Sequence, residues 1–477
     1  MVRKLSKLLI VFYCYVSITV VNAQQVKPFK TGDRVAFVGN SITDGGHYHS
    51  YIWLYYITRM PYARIDFINA GIGGDVAKQI DERLQEDVFD KHPTVVTLTF
   101  GMNDTGYQWL SGAKADSNYN AKVATSYGSF LDIQKHIKAH PEVRKVIIGS
   151  SPYDGTAKIK PGVIFNKNTA MQRIVGFQKE AAHKNGWEFV DFSKPMIAIN
   201  EQQQLKDSSF SMQSFDRIHP TVDGHMVMAY LFLKAQGFAN KKVAAVNIDS
   251  KKRVVIKSDN CAITGLLSTQ NGLSYTYKAN ALPYPIDTVV QSIGKQGRSQ
   301  ADALKLVPFQ QEFNQEILQV QNLAGNNYDV KIDGKLAGTW SAGRLQKGVN
   351  LAEVKTTPQY QQALAVMHLN EERWAIERRL REYWWLHYSI LKPHGLLHND
   401  GEATIDSVQR YAQKDFFVGM VLNTYYKARF KQVRDAWQKE MELLTNQIYL
   451  INRPIAHKVE ILAVNAKQHV LTQKQDL

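Results

Sequence analysis

Residues 30–240 alternate short apolar runs with amphipathic stretches, and this rhythm restricts the fold more than any other feature. Apolar runs predict strands at Arg34–Val38, Arg64–Ile68, Thr94–Phe100, Lys145–Ser150 and Glu188–Asp191. Between and after them, helices are expected near Tyr51–Met60, Ala77–Phe89, Ser126–His140, Lys167–Asn185 and Thr221–Gln236. Strands separated by helices imply an α/β fold with a parallel, doubly wound sheet. Such sheets place their sites beyond the carboxyl ends of the strands.

The rhythm stops near residue 245, and a chain of 477 residues has room for further domains. Residues 246–356 carry alternating runs such as Tyr275-Thr276-Tyr277 and Tyr328-Asp329-Val330-Lys331-Ile332, with turn signals at Asp333-Gly334 and Lys347-Gly348. They are expected to form a small β-rich region. Residues 357–477 are expected to form a helical hairpin, its helices at 358–391 and 415–451. Pro393, Gly395 and Gly401 lie between them. The hairpin is rich in aromatics, among them Trp374, Tyr383, Trp384, Trp385, Tyr388, Tyr425, Tyr426 and Trp437. Packing between helices is one role for these rings; a sugar platform or a lid is the other.

The N-terminus has a basic start at Arg3, Lys4 and Lys7, an apolar run and small residues at Val21-Asn22-Ala23. This is the pattern of a cleaved signal peptide over residues 1–23 and implies a secreted or periplasmic protein. Removal of that segment leaves Cys261 as the one cysteine, so no intramolecular disulfide can form. The formal charge then falls from +15 to +12. A basic surface could favour acidic polymers or anionic membranes. No nucleic-acid module accompanies it, and no later apolar run approaches membrane-spanning length. Neither does any His, Asp or Glu cluster have metal-ligand spacing. Nothing in the sequence fixes an oligomeric state.

Four short segments fall where the sheet would place its functional edge. They are Gly39-Asn40-Ser41, the run Asn69-Ala70-Gly71-Ile72-Gly73-Gly74-Asp75, Gly101-Met102-Asn103-Asp104, and Asp216-Arg217-Ile218-His219 before the last helix. Each alone has a plain structural explanation: a helix cap, a glycine turn, an Asn cap, a surface acid. Together they supply what acyl transfer requires. A serine hydroxyl needs a base to become a nucleophile. A histidine serves when a carboxylate holds its tautomer, and a spacing of three can place Asp216 and His219 on one turn. A tetrahedral oxyanion needs donors, which glycine-loop N–H groups and an Asn amide provide.

In these blocks the chain resembles the SGNH hydrolases, also called GDSL-type esterases and lipases. Ser, Gly, Asn and His head the four blocks of that family, and here they match Ser41, Gly74, Asn103 and His219. The resemblance covers roughly residues 30–240. It implies a flavodoxin-like three-layer α/β/α sandwich over residues 24–245. Ser41 would be the nucleophile, His219 the general base and Asp216 its partner. The oxyanion hole would be the N–H groups of Ser41 and Gly74 with the Asn103 amide. It implies no cofactor and no metal. Two departures stand out: Asn40 replaces the usual Asp, and Gly73 stands where Ser is common. The remainder looks similar to C-terminal extensions of large secreted bacterial members.

The expected activity is hydrolysis of carboxylic esters, foremost O-acetyl groups on carbohydrates. The partner would be a small-molecule or glycan ester. Alternatives are a lipid or lysophospholipid esterase, an arylesterase or thioesterase, and a non-catalytic glycan-binding protein on a hydrolase fold. The last would be expected to lose Ser41, Asp216 or His219. His47 and His49 either line the entrance or sit on an exposed loop. His225 is a poorer base, with no acid three residues before it. Asp75 and Asp104 are expected to bond loop amides.

Overall fold

A computed structural model describes residues 26–269, 271–293 and 296–464. The expected signal peptide lies outside the described residues. The first half is a parallel five-stranded sheet with helices on its faces. Its strands are β1 (Arg34–Gly39), β2 (Asp66–Gly71), β3 (Val95–Leu98), β4 (Arg144–Gly149) and β5 (Glu188–Asp191), in the order β2-β1-β3-β4-β5. All neighbours run parallel. β1 and β3 are buried almost throughout, as a sheet covered on both faces requires.

Several helices differ from expectation at their ends. The helix expected from Tyr51 begins at His47, so His47 and His49 are helical rather than on an exposed loop. The helix expected from Ser126 begins at Gly112: its first turns bury Ala115, Tyr119 and Val123 at helical spacing, a stripe thinned in the sequence by the polar residues between them. Helix Ser193–Gln204 has a weak apolar stripe and escaped notice. Lys167–Lys184 and Val222–Ala235 lie where expected.

After Phe238 the chain builds two sheets around a second core. One has four strands, in the spatial order Val349–Asn350, Glu316–Gln321, Ala244–Asp249 and Val254–Asp259. The other has five, in the order Lys335–Ser341, Asn327–Ile332, His457–Ala463, Gly272–Ala279 and Cys261–Thr269. Val246, Ile248, Val320, Tyr275, Val330 and Ile461 fill the space between them. The region expected to be β-rich therefore is so. The segment around Leu282, Tyr284, Phe309 and Phe313 instead packs into the core of the parallel-sheet layer.

The helical part differs in two respects from a simple hairpin. Helix Pro358–Trp385 continues as a π-helical turn through Leu391 and pairs with Lys431–Ile451. The second arm is broken near Arg429-Phe430, giving Phe416–Ala428 before it, and Glu402–Ala412 adds a further helix. The chain then returns to the β-layer, where His457–Ala463 pairs antiparallel on both sides. Its buried Val459 and Ile461 alternate with more exposed residues, a strand pattern too short to outweigh the helices before it. Most hairpin aromatics pack among the helices: Tyr383, Tyr425 and Trp437 share a core with Ile376 and Leu386. Among the described residues, no helix is long and apolar enough to cross a membrane.

The long helix covers the open edge of β2. In a parallel strand, alternate residues face away from the paired neighbour. Asp66 and Ile72 bond through N–H to Asp33 and Gly39, beside β1, which leaves 67, 69, 71 and 73 facing outward. Helix side chains four residues apart meet these groups. Arg373 Nη2 donates to Phe67 O (2.9 Å), and Glu377 Oε1 accepts from Asn69 N (3.0 Å). Arg381 Nε donates to Gly71 O (3.0 Å), and Trp385 Nε1 to Gly73 O (3.1 Å). Four helical residues rise about 6 Å and two strand residues about 6.6 Å, so the two repeats stay nearly in step.

The closing strand should contribute strongly to stability. Ile461→Ala leaves a cavity at a fully buried site and is expected to cost about 2–4 kcal/mol, read from denaturant unfolding. An unchanged midpoint would show that this strand is not part of the cooperative fold.

Candidate active site

The four segments picked out in the sequence converge at the carboxyl ends of β1, β2 and β3. β1 ends at Gly39, and Asn40 Oδ1 caps the short helix Ser41–Asp44 by accepting from Ile42 N (3.1 Å). An Asn caps as well as an Asp, which accounts for the first departure in the blocks. The helix passes close to β2: a Cβ on Gly71 would lie 2.2 Å from Asp44 N, so only glycine fits there.

Ser41 Oγ lies 2.8 Å from His219 Nε2, and His219 Nδ1 lies 2.5 Å from Asp216 Oδ2. Asp216 Oδ1 accepts from Ser214 Oγ (2.7 Å), Ile218 N (2.8 Å) and His219 N (3.0 Å). Burial pushes this carboxyl up, but the hydrogen bond and charge of His219 and the Ile218 N–H outweigh it. Its pKa falls to about 2. The turn between the two residues depends on Arg217, whose φ of +68° is unusual for a side chain with a Cβ. Its buried guanidinium donates to the carbonyls of Asp154, Ala157, Ile159 and Pro161, which offsets that strain.

Gly74 has φ +87° and is exposed, and its N–H has no acceptor among the described residues. Gly73 N donates to Asp44 Oδ2 (3.1 Å). Burial pushes Asp44 up to about 6 against the lowering pull of Arg381, the Gly73 N–H and Arg83. Asn103 Oδ1 accepts from the Tyr107 hydroxyl (2.5 Å), and Nδ2 donates to Asp75 O (2.9 Å). These contacts fix which side of the amide is nitrogen and leave its second N–H free of a protein acceptor among the described residues.

The loop that carries Asn103 is held from two sides. Asp104 accepts from Gly101 N, Ala77 N and Ser126 Oγ, bonding loop amides as expected. Lys167 Nζ donates to Met102 O, Thr105 Oγ1 and Gly106 O, each at 2.7 Å, and lies 4.1 Å from the Tyr107 ring centre. Burial lowers its pKa to about 7. Asp75 accepts from the buried Arg83 (2.7 Å), which also donates to the carbonyls of Gly39 and Ala70.

The remaining histidines have other places. His49 is buried, stacks on Phe37 and meets Thr43 O. His225 is buried 5.1 Å from the His47 ring, and burial keeps its pKa well below the usual value. His47 lines a cavity of about 380 Å³ with Tyr51, Gln300 and Trp374. Burial lowers its pKa to about 4. Among the described residues no group of His, Cys, Asp and Glu could hold a metal ion. Asp44, Lys167 and Arg381 had no signal in the sequence, and Arg217 and Trp385 had none for these contacts, since each acts on a segment distant along the chain.

The GDSL-like lipase/acylhydrolase family matches residues 37–227, and a diltiazem deacetylase C-terminal helical domain matches residues 364–453. A solved structure of a gut microbial diltiazem-metabolizing enzyme is 46% identical, with a TM-score of 0.89. The match covers 93% of this chain and 100% of that one. The chain belongs to the GDSL-like lipase/acylhydrolase family. It is an ester-bond hydrolase. An acetylxylan esterase from Geobacillus stearothermophilus is 26% identical over 228 residues, covering 44% of this chain and 95% of that protein. In this GDSL-family esterase, the fold expected from the blocks is therefore present together with a helical extension shared with the diltiazem-metabolizing enzyme.

The Asp216 environment predicts an acid-dependent stability term. Its pKa is about 2 in the fold against 3.8 unperturbed, so the stabilisation is full above about pH 4 and is lost as pH falls toward 2. Asp216→Asn should lower stability by about 1–2 kcal/mol at pH 7. The gap in Tm should close in acid. A gap independent of pH would show that the loss is not electrostatic.

Proposed function

We propose that this esterase removes O-acetyl groups from carbohydrates through an acyl-enzyme on Ser41. The observation that carries the reading is the relay from Ser41 Oγ through His219 to Asp216, at 2.8 and 2.5 Å. His219 Nε2 takes the hydroxyl proton as Ser41 attacks the ester carbonyl. Asp216, ionised at neutral pH, holds Nδ1–H and stabilises the imidazolium. The oxyanion takes hydrogen bonds from the N–H groups of Ser41 and Gly74 and from the second Nδ2–H of Asn103. His219 then gives its proton to the leaving alcohol. Water, deprotonated by the same ring, releases acetate and restores Ser41.

An acetyl preference is supported by the relatives: one is named an acetylxylan esterase, and the helical domain is named for a diltiazem deacetylase. Exposed aromatic rings offer a platform for a sugar: Tyr107 beside Asn103, Phe215 beside Asp216, and Trp109, whose ring lies against Gly162. Flat apolar faces of this kind suit a sugar ring. The 46% identical enzyme favours a second reading, a small-molecule acetyl ester such as diltiazem. Export, read from residues 1–23, fits a polymeric substrate.

Hydrolysis of p-nitrophenyl acetate, butyrate and octanoate should fall with chain length. Ser41→Ala should lower kcat by roughly 10⁴-fold or more with the fold unchanged. Acetylated xylo-oligosaccharides should be deacetylated faster than diltiazem; the reverse order would favour the small-molecule ester. A preference for octanoate would overturn the acetyl assignment, and wild-type rates in Ser41→Ala would overturn the nucleophile.

A further inference from the structure

We propose that Trp385 is a positioning residue that aims the Gly74 N–H, which makes the long C-terminal helix a working part of the active site. The inference rests on the reading of Gly74 as an oxyanion donor. Gly73 C=O and Gly74 N–H belong to one peptide unit. That unit is planar and trans, so its N–H points away from its carbonyl. The indole Nε1 donates to Gly73 O at 3.1 Å, and this bond sets the direction of the N–H on the other side of the plane. It also polarises the unit, making the N–H a better donor.

Independent contacts hold the same unit in place. The preceding peptide is fixed by Gly73 N donating to Asp44 Oδ2, three residues beyond Ser41. Upstream, Arg381 donates to Gly71 O and forms a bidentate pair with the buried Asp87 (2.7 and 2.8 Å). The helix is thus anchored one turn before Trp385, so its indole is delivered to Gly73 by a rigid element. The second departure in the family blocks follows from this. A Cβ on Gly73 would lie 3.3 Å from both Cδ1 and Nε1 of Trp385, and 3.5 Å from Asp44 Oδ2. The absence of a side chain at 73 lets the indole approach.

The test uses the full-length protein with p-nitrophenyl acetate. Trp385→Phe removes the N–H and keeps an aromatic ring. Its kcat should fall about tenfold, the value of one hydrogen bond acting in the transition state, with KM within about twofold. Inhibition by a small alkylboronic acid, whose tetrahedral adduct on Ser41 carries the oxyanion, should weaken by a similar factor. Trp385→Leu should share the kcat loss whatever its Tm, and Trp384→Phe, one residue away, should retain wild-type kcat. Wild-type kcat in Trp385→Phe beside an inactive Ser41→Ala would overturn the proposal and leave the nucleophile standing. A loss confined to KM, or variants that fail to fold, would assign Trp385 to packing and also overturn it. Activity in Ser41→Ala would instead remove the reading on which the proposal rests.

Discussion

The open edge of β2 is the constraint on which the rest of the molecule turns. An edge strand exposes a row of unpaired amides and carbonyls, and proteins must cover or blunt it. Among the described residues no further strand does so. Arg373, Glu377, Arg381 and Trp385 reach the outward groups of residues 67, 69, 71 and 73 in turn. Three of the four are charged or paired with charge, and all three are buried. A buried charge is costly unless it is bonded. Arg373 bonds Glu377, and Arg381 bonds Asp87, whose carboxyl burial would push up but which Arg381, Lys91 and Arg83 hold well below the usual range. The C-terminal helix is therefore tied to the sheet in one register, and β2 runs directly into the glycine loop beside Ser41.

The other loops follow the same logic of polar groups buried on condition that they are satisfied. Lys167 spends all three ammonium protons on the loop that carries Asn103. Arg217 binds four carbonyls of the segment 154–161 and so holds a left-handed residue between Asp216 and His219. Asp104 ties the Asn103 loop to the start of helix Ala77–Arg83. Each network reduces the freedom of one loop, and Ser41, Asp216 and His219 themselves stay partly exposed. In the proposed reaction, donors preorganised in this way would need no reorganisation when charge develops.

Much of this was legible in the chain. β1 falls almost where its apolar run predicts, because a parallel strand buried on both faces leaves a continuous apolar signal. Ser41, His219 and Asp216 come together as expected, since local spacing and strand ends place them. What stayed hidden depends on partners far along the chain. Arg381 and Gly71 are 310 residues apart, and Trp385 and Gly73 are 312 apart. Periodicity marks a helix but not the element it will serve. The strand His457–Ala463 was hidden for a related reason: its pattern is seven residues long, and its two neighbours come from before the helices.

The departures from the family blocks prove as informative as the matches. Asn40 keeps the function of an Asp, because capping a short helix needs only a side-chain oxygen. Gly73 is different: it gives up a side chain and receives an indole in its place. A serine there would bring its own polar group to the loop. The contact joins the loop after β2 to a helix more than 300 residues later. It also explains why the extension cannot be regarded as an independent appendage. Its long helix is held by three contacts to one strand and a fourth to the loop that follows it, and that fourth falls on the peptide that presents Gly74.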